Sequence, residues 1–213
     1  MSLPDELQRV FDADRALREA ESALLRKKGS AELTGLLERE TQLALRLEDR
    51  REAAMRLERL ADLCAQVPGP QMTDALIAIL NDSEPRVRVA AGEALRDLGY
   101  ERYAEVARSI ERALDGGADG LAMSELPWVL AEIAEPSALP LLRRFLDHRS
   151  ADVVAAAIEA LAQLQDPDAI PDLERFLGDA RMVVIEDFED ETKTTLGELA
   201  ADALEMLPVE SEG

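Results

Sequence analysis

Residues 74–99 read DALIAILNDSEPRVRVAAGEALRDLG. The apolar spacing predicts a helix, a tight turn at Asn81-Asp82-Ser83-Glu84-Pro85, and a second helix from about Arg86 to Leu98. Thr73 stands where an N-cap for the first helix belongs, with an acid at Asp74 in its first turn. Pro85 opens the second helix, where its missing N–H costs no hydrogen bond. One such pair leaves an apolar face uncovered and must stack on copies of itself.

Copies follow. ALPLLRRFLDHRSADVVAAAIEALAQL, residues 138–164, predicts helices at Ala138–Leu146 and Ala151–Leu164. AIPDLERFLGD, residues 169–179, and TLGELAADALEML, residues 195–207, predict a further pair, Ala169–Leu177 and Thr194 or Thr195 to Leu207. Residues 179–193 are inserted between its helices. Their Met182–Ile185 run is β-prone and suits a short hairpin or flap covering the last repeat, with Glu186–Glu191 exposed. An irregular pair lies between the first and third: Tyr103–Leu114, then Asp115–Gly120 as a long turn, then a helix holding Pro127. Ser124 as N-cap would put Pro127 in the first turn, so this helix is expected to start late and run to Ala134. Pro208–Gly213 is an acidic tail.

Upstream, residues 1–28 have helical periodicity through Leu7, Val10, Phe11, Leu17, Leu24 and Leu25, ending at Gly29-Ser30. Residues 31–66 have it again, with a possible break at Glu48-Asp49-Arg50-Arg51. Residues 1–66 are therefore expected to form a helical hairpin, or degenerate repeat, capping residues 70–207; a dimerising arm is the lesser alternative. Val67-Pro68-Gly69-Pro70 separates the two regions.

Of 213 residues 47% are hydrophobic but only 3% aromatic, the composition of packed helices. Forty-five acids against 24 bases give a net charge of -21. That field repels phosphate backbones and anionic lipid, so neither nucleic acid nor membrane is expected as a partner, and a basic protein surface is. Lys27, Lys28 and Lys193 are the only lysines. The single cysteine, Cys64, sits at an apolar helical position and reads as a buried, inert thiol. With no signal-like N-terminus and no apolar run of bilayer length, a cytoplasmic monomer is expected.

The pairs resemble HEAT repeats, in the bacterial form similar to those of phycobilisome lyases. The residues that carry this are Leu80 through Arg88, then Ala90-Ala91, Ala94-Leu95 and Leu98-Gly99. The third pair keeps Leu146-Asp147, Asp152-Val153, Ala156-Ala157 and Ala160-Leu161, with Val154 at the position where the family has Arg. The fourth keeps Asp166–Pro171 and Leu199-Ala200, with Gly197 at that position. The resemblance implies an all-α fold, a right-handed α-solenoid of helical hairpins, and says little about function.

In such solenoids the second helices line the concave face. Aligned on Ala94-Leu95, Val129-Leu130, Ala160-Leu161 and Ala203-Leu204, they set Glu93, Trp128, Glu159 and Asp202 in one column. Arg96, Ala131, Ala162 and Glu205 form a second, and Val89, Ser124, Ala155 and Glu198 a third. Glu125, Glu132 and Gln163 flank these columns. The expected surface is acidic with one tryptophan, an anchor type common in protein interfaces. Ordinary solvation of charged helix faces, and a space-filling Trp128, are the alternatives. Phe188 and Glu189 in the insertion are further partner-binding candidates.

Catalytic signals are thin. His148 is the sole histidine, without a cysteine or distinctive serine beside it. Phosphate-binding, dinucleotide and EF-hand motifs are missing, and neither cofactor nor metal is expected. The leading expectation is a non-enzymatic scaffold or adaptor gripping a basic protein partner, or an immunity-type inhibitor of one. The resemblance also raises a bilin-lyase-like enzyme. An analogy with HEAT-like DNA glycosylases fails on charge, because those need a basic concave face and Glu93, Glu159, Glu198 and Asp202 make this one acidic.

Overall fold

A computed structural model describes residues 2–27, 29–186 and 191–208. The chain is α1 (Leu3–Leu25), α2 (Ala31–Ala44), α3 (Arg50–Gln66), α4 (Pro70–Leu80), α5 (Pro85–Asp115), α6 (Leu121–Ile133), α7 (Ala138–Phe145), α8 (Ala151–Leu164), a 3₁₀ turn at Pro167–Ala169, α9 (Ile170–Glu174), β1 (Met182–Glu186), β2 (Glu191–Thr195) and α10 (Leu196–Met206). Helices α2 to α10 stack in two layers. One contains α3, the first half of α5, α6, α8 and α10, each against the next. The other contains α2, α4, the second half of α5, α7 and α9. One apolar core runs between them from Leu33 to Leu207. This is the helical-hairpin solenoid that the repeats imply.

The expected break in residues 31–66 falls where the charges interrupt the apolar spacing. Asp49 caps α3 by accepting from the N–H groups of Arg51 and Glu52. Its partner α2 starts at Ser30, whose hydroxyl accepts from Leu33 N. In α5 the two expected helices are joined without a loop; only Arg102 departs from helical geometry (φ −141°, ψ 46°). The Arg102 guanidinium donates to the Ala65 carbonyl at 2.9 Å, which pins the bend to α3.

Three start sites differ from expectation, and long-range contacts explain two of them. Helix α6 does not start late at Ser124. It begins at Leu121, so Pro127 lies inside the helix, buried, and forgoes one intrahelical bond. The early start is stabilised by Asn81, whose side-chain oxygen accepts from Ala122 N at 3.1 Å. Gly120 is required beside it: φ is +103°, and a Cβ there would lie 2.5 Å from Asn81 Oδ1. Similarly, α4 begins at Pro70 rather than Thr73. Glu105 Oε1 accepts from Gly69 N at 3.1 Å and from Thr73 Oγ1 at 3.0 Å, so Thr73 is a buried donor inside the helix rather than its cap. The helix expected at Ala169–Leu177 is reduced to the 3₁₀ turn and five-residue α9.

The insertion forms an antiparallel hairpin with Met182 opposite Thr195 and Glu186 opposite Glu191. Val183 is buried, whereas its neighbours Met182 and Val184 are exposed, as the alternation of a strand requires. Gly197 stands at the family's Arg position for a steric reason. A Cβ there would sit 2.9 Å from the Leu177 carbonyl oxygen and 3.2 Å from that of Asp179.

The N-terminal helix departs most. Its capping box at Ser2 and Asp5 is complete, yet none of its residues is buried. It meets the solenoid through its C-terminal half, where Leu17 borders α3, Glu21 pairs with Arg59 at 3.1 Å and Leu25 packs on the core. The expected capping hairpin is therefore confined to α2 and α3. A helix covers a core only by lying along it, and the rest of α1 does not.

The arginine bias has a structural account. Arg112–Asp74, Arg149–Asp119 and Arg175–Asp147 join residues 38, 30 and 28 positions apart, about one repeat. Each exposed pair contributes about 0–1 kcal/mol, while Arg guanidinium geometry fixes helix register. The buried member is Asp82, which accepts twice from Arg50 Nη2, at 2.6 and 2.8 Å, and once from Glu84 N.

Cys64 is fully buried, and burial pushes its thiol up to about 12. Native protein is expected to resist a thiol reagent at neutral pH and to react with one equivalent after denaturation. Stoichiometric labelling of the folded chain would contradict this.

Candidate interaction groove

The helix layer α3–α5–α6–α8–α10 carries the predicted columns. Glu93, Asp202 and Glu205 are exposed, as is Gln163; Glu159 and Ser124 are half-buried. Ala131, Ala155 and Ala162 are buried, so the small residues of the columns are helix contacts rather than surface. Trp128 is 36% exposed. It is therefore neither core nor fully presented.

Six of the predicted residues meet. Val89, Glu93, Arg96, Glu125, Trp128 and Glu132 line one cleft of about 290 Å³ between α5 and α6. The members on α8 and α10 are outside its lining. The cleft is less acidic than the sequence suggests. Arg88 Nε donates to Glu125 at 3.1 Å, and Arg96 Nη1 to Glu132 at 3.1 Å. Two carboxylates are thus neutralised by arginines of the preceding helix. Glu198 is also occupied: it closes the capping box of α10, accepting from Thr195 N at 2.8 Å and from the Thr194 and Thr195 hydroxyls. Those hydrogen bonds hold its carboxyl below the usual range, the backbone N–H foremost. Phe188 and Glu189 lie outside the described residues.

A larger cleft with more carboxylates lies one repeat toward the N-terminus. A cleft of about 930 Å³ between α3 and α5 is lined by Asp62, Glu93, Asp97 and Glu101, with Glu21 at its edge. Glu93 belongs to both clefts and joins them. Of the two arginines here, one is engaged by carboxylates of the cleft itself and the other by a backbone carbonyl. Arg59 pairs with Glu21 and Asp62, each at 3.1 Å, and Arg102 donates to Ala65 O. Asp62 is raised above the ordinary carboxyl value of 3.8, chiefly by burial, which outweighs the lowering charge of Arg59, with the charges of Glu21, Glu58 and Glu93 adding to the rise. Burial raises Glu159 above its ordinary 4.5. Asp62 lies outside the sequence-derived columns because they do not include residues 53–66, and Asp97 and Glu101 because they stand beside the columns on α5. Aligning residues 53–66 as a second helix would carry the columns onto α3.

A raised carboxyl is easier to protonate, and a bound cation must hold it ionised. Binding of a cationic ligand in this groove is therefore expected to weaken as pH falls. The loss should begin above 3.8, the ordinary Asp value, as Asp62 takes up a proton. Calorimetric titrations between neutral pH and pH about 4 would read this as proton uptake on ligand release.

Catalytic machinery does not assemble at the histidine. Ser150 N–H donates to His148 Nδ1 at 3.1 Å, which leaves the proton on Nε2, 3.0 Å from the Ala118 carbonyl. Nδ1 closes the α7–α8 turn and Nε2 ties that turn to the loop before α6. Among the described residues, no three His, Cys, Asp or Glu side chains group as metal ligands, and no helix is long and apolar enough to cross a membrane.

Residues 118–187 match the family model of HEAT repeats, and this part of the chain is a HEAT-repeat domain. Comparison with curated proteins gives no match. Among solved structures, the chain is similar to a computationally designed armadillo repeat protein for modular peptide recognition, at 18% identity over 97% of this chain and 100% of that one, with a TM-score of 0.37. It is also similar to a designed armadillo repeat protein in complex with the peptide (KR)4, at 19% identity over 98% and 100%, with a TM-score of 0.39.

Proposed function

We propose that this protein is a non-enzymatic scaffold that binds a basic segment of a protein partner along the α3–α5–α6 groove. The observation that supports this most is the convergence of Glu93, Asp97 and Glu101 on one cleft whose two arginines are already engaged, Arg59 by Asp62 and Glu21 and Arg102 by the Ala65 carbonyl. Lysine and arginine side chains of a partner would supply the missing counter-charge. Trp128, a short step along the same face, offers a flat apolar surface for their alkyl stems or for a guanidinium. An immunity-type inhibitor would use the same contacts, with the partner's active surface as the basic segment.

Trp128 is the only tryptophan, so intrinsic emission reports on the groove directly. Titration with an arginine- and lysine-rich peptide is expected to change that emission and to saturate. The apparent affinity should fall as salt is raised, because the attraction is between exposed charges. An acidic peptide of equal length should give no change. Equal responses to both peptides, or none to the basic one, would remove this reading.

A further inference from the structure

Helix α1 is 23 residues long and buries none of them. Its exposed large apolar residues are Leu3, Leu7, Val10, Phe11, Leu17 and Leu24, with Leu3 at 82% and Val10 at 61%. Leu3, Val10, Leu17 and Leu24 recur every seventh residue, and Leu7 and Ala20 lie beside them. That spacing makes one seam along a helix, and a seam of this length in water calls for a second helix.

The charges identify that helix. Residues 2–14 carry Asp5, Glu6, Asp12 and Asp14 against Arg9, a net of −3. Residues 15–27 carry Arg15, Arg18, Arg26 and Lys27 against Glu19 and Glu21, a net of +2. A parallel copy would set like charge beside like. An antiparallel copy sets the acidic half of each helix against the basic half of the other, and opposes the two helix dipoles as well. The apolar seam has the same symmetry. About a two-fold axis between Ala13 and Asp14, Leu3 faces Leu24 of the second copy, Leu7 faces Ala20, and Val10 faces Leu17. Leu17 also borders a shallow cleft with Met55, 56% exposed, and Leu60 of α3, where the first half of the second copy's helix would arrive.

We propose that α1 is a dimerisation arm, pairing antiparallel with α1 of a second copy of this chain. The two solenoids then lie at opposite ends of the paired helices. This replaces the monomer that the sequence suggests, and it is independent of what binds the groove.

Sedimentation equilibrium of the full chain in the micromolar range is expected to give twice the chain mass. Val10→Glu combined with Leu17→Glu is expected to give the chain mass with unchanged solenoid unfolding, because neither residue contributes to the core. Orientation is read by disulfide formation, in which buried Cys64 is silent. Leu3→Cys alone should not cross-link to itself, whereas a mixture of Leu3→Cys and Leu24→Cys chains should cross-link efficiently. A wild-type chain that stays monomeric, a dimer that survives the double glutamate substitution, or self-cross-linking of Leu3→Cys alone would each overturn the proposal.

Discussion

Glu93→Lys combined with Asp97→Lys is expected to weaken binding of a basic peptide by about thirtyfold or more. Each reversal removes an attraction and adds a repulsion, together worth roughly 1–2 kcal/mol at a partly exposed site, and 1.4 kcal/mol is tenfold in affinity. Both residues line the α3–α5 cleft, and Glu93 lines the Trp128 cleft as well. Glu93 is exposed and forms none of the interhelix ion pairs, while Asp97 stands 3.8 Å from its neighbour Arg96. The substitutions should therefore leave folding intact, which far-UV dichroism and a denaturation curve would verify. Trp128→Ala should cost less and should not change the salt dependence, since it removes stacking rather than charge. Calorimetric titration of the three proteins at two ionic strengths separates the contributions. Unaltered affinity in the double reversal would place the binding surface elsewhere.

Phe145→Ala is expected to destabilise the fold by about 3–5 kcal/mol, the usual cost of emptying a buried aromatic site. Domains of this kind hold about 5–15 kcal/mol in total, so the variant should be marginal. Phe145 is fully buried at the end of α7, a helix of eight residues. So short a helix has no stability of its own, and Ala138, Leu139, Leu141, Leu142 and Phe145 hold it between α5, α6 and α8. In a stack where each repeat touches only its neighbours, loosening α7 also uncouples the helices on either side. Urea unfolding followed by Trp128 emission, which reports α6, and by far-UV dichroism, which reports all helices, should coincide in the parent and separate in the variant. A loss of less than about 1 kcal/mol would mean that the site collapses around the missing ring.

Much of this was legible in the sequence because it is local. Apolar spacing at Asp74–Gly99 and Ala138–Leu164, a charge break at Glu48–Arg51 and a β-prone run at Met182–Ile185 each act within a few residues. Helix, turn and hairpin follow from such patterns directly. The second-helix alignment likewise brought Glu93, Arg96, Trp128 and their neighbours to one surface.

What the sequence could not determine is set by groups about a repeat or more apart. Asn81 starts α6 early from 41 residues away, and Glu105 caps α4 from the following helix. Arg88 and Arg96 neutralise carboxylates that looked free, and Asp62 enters the groove from a helix that was read as part of a cap. The same distinction explains α1. Its helical periodicity is local; whether its apolar seam finds the solenoid depends on where the chain turns at Gly29, and there it does not. Periodicity states which face of a helix is apolar, whereas only tertiary packing assigns that face a neighbour.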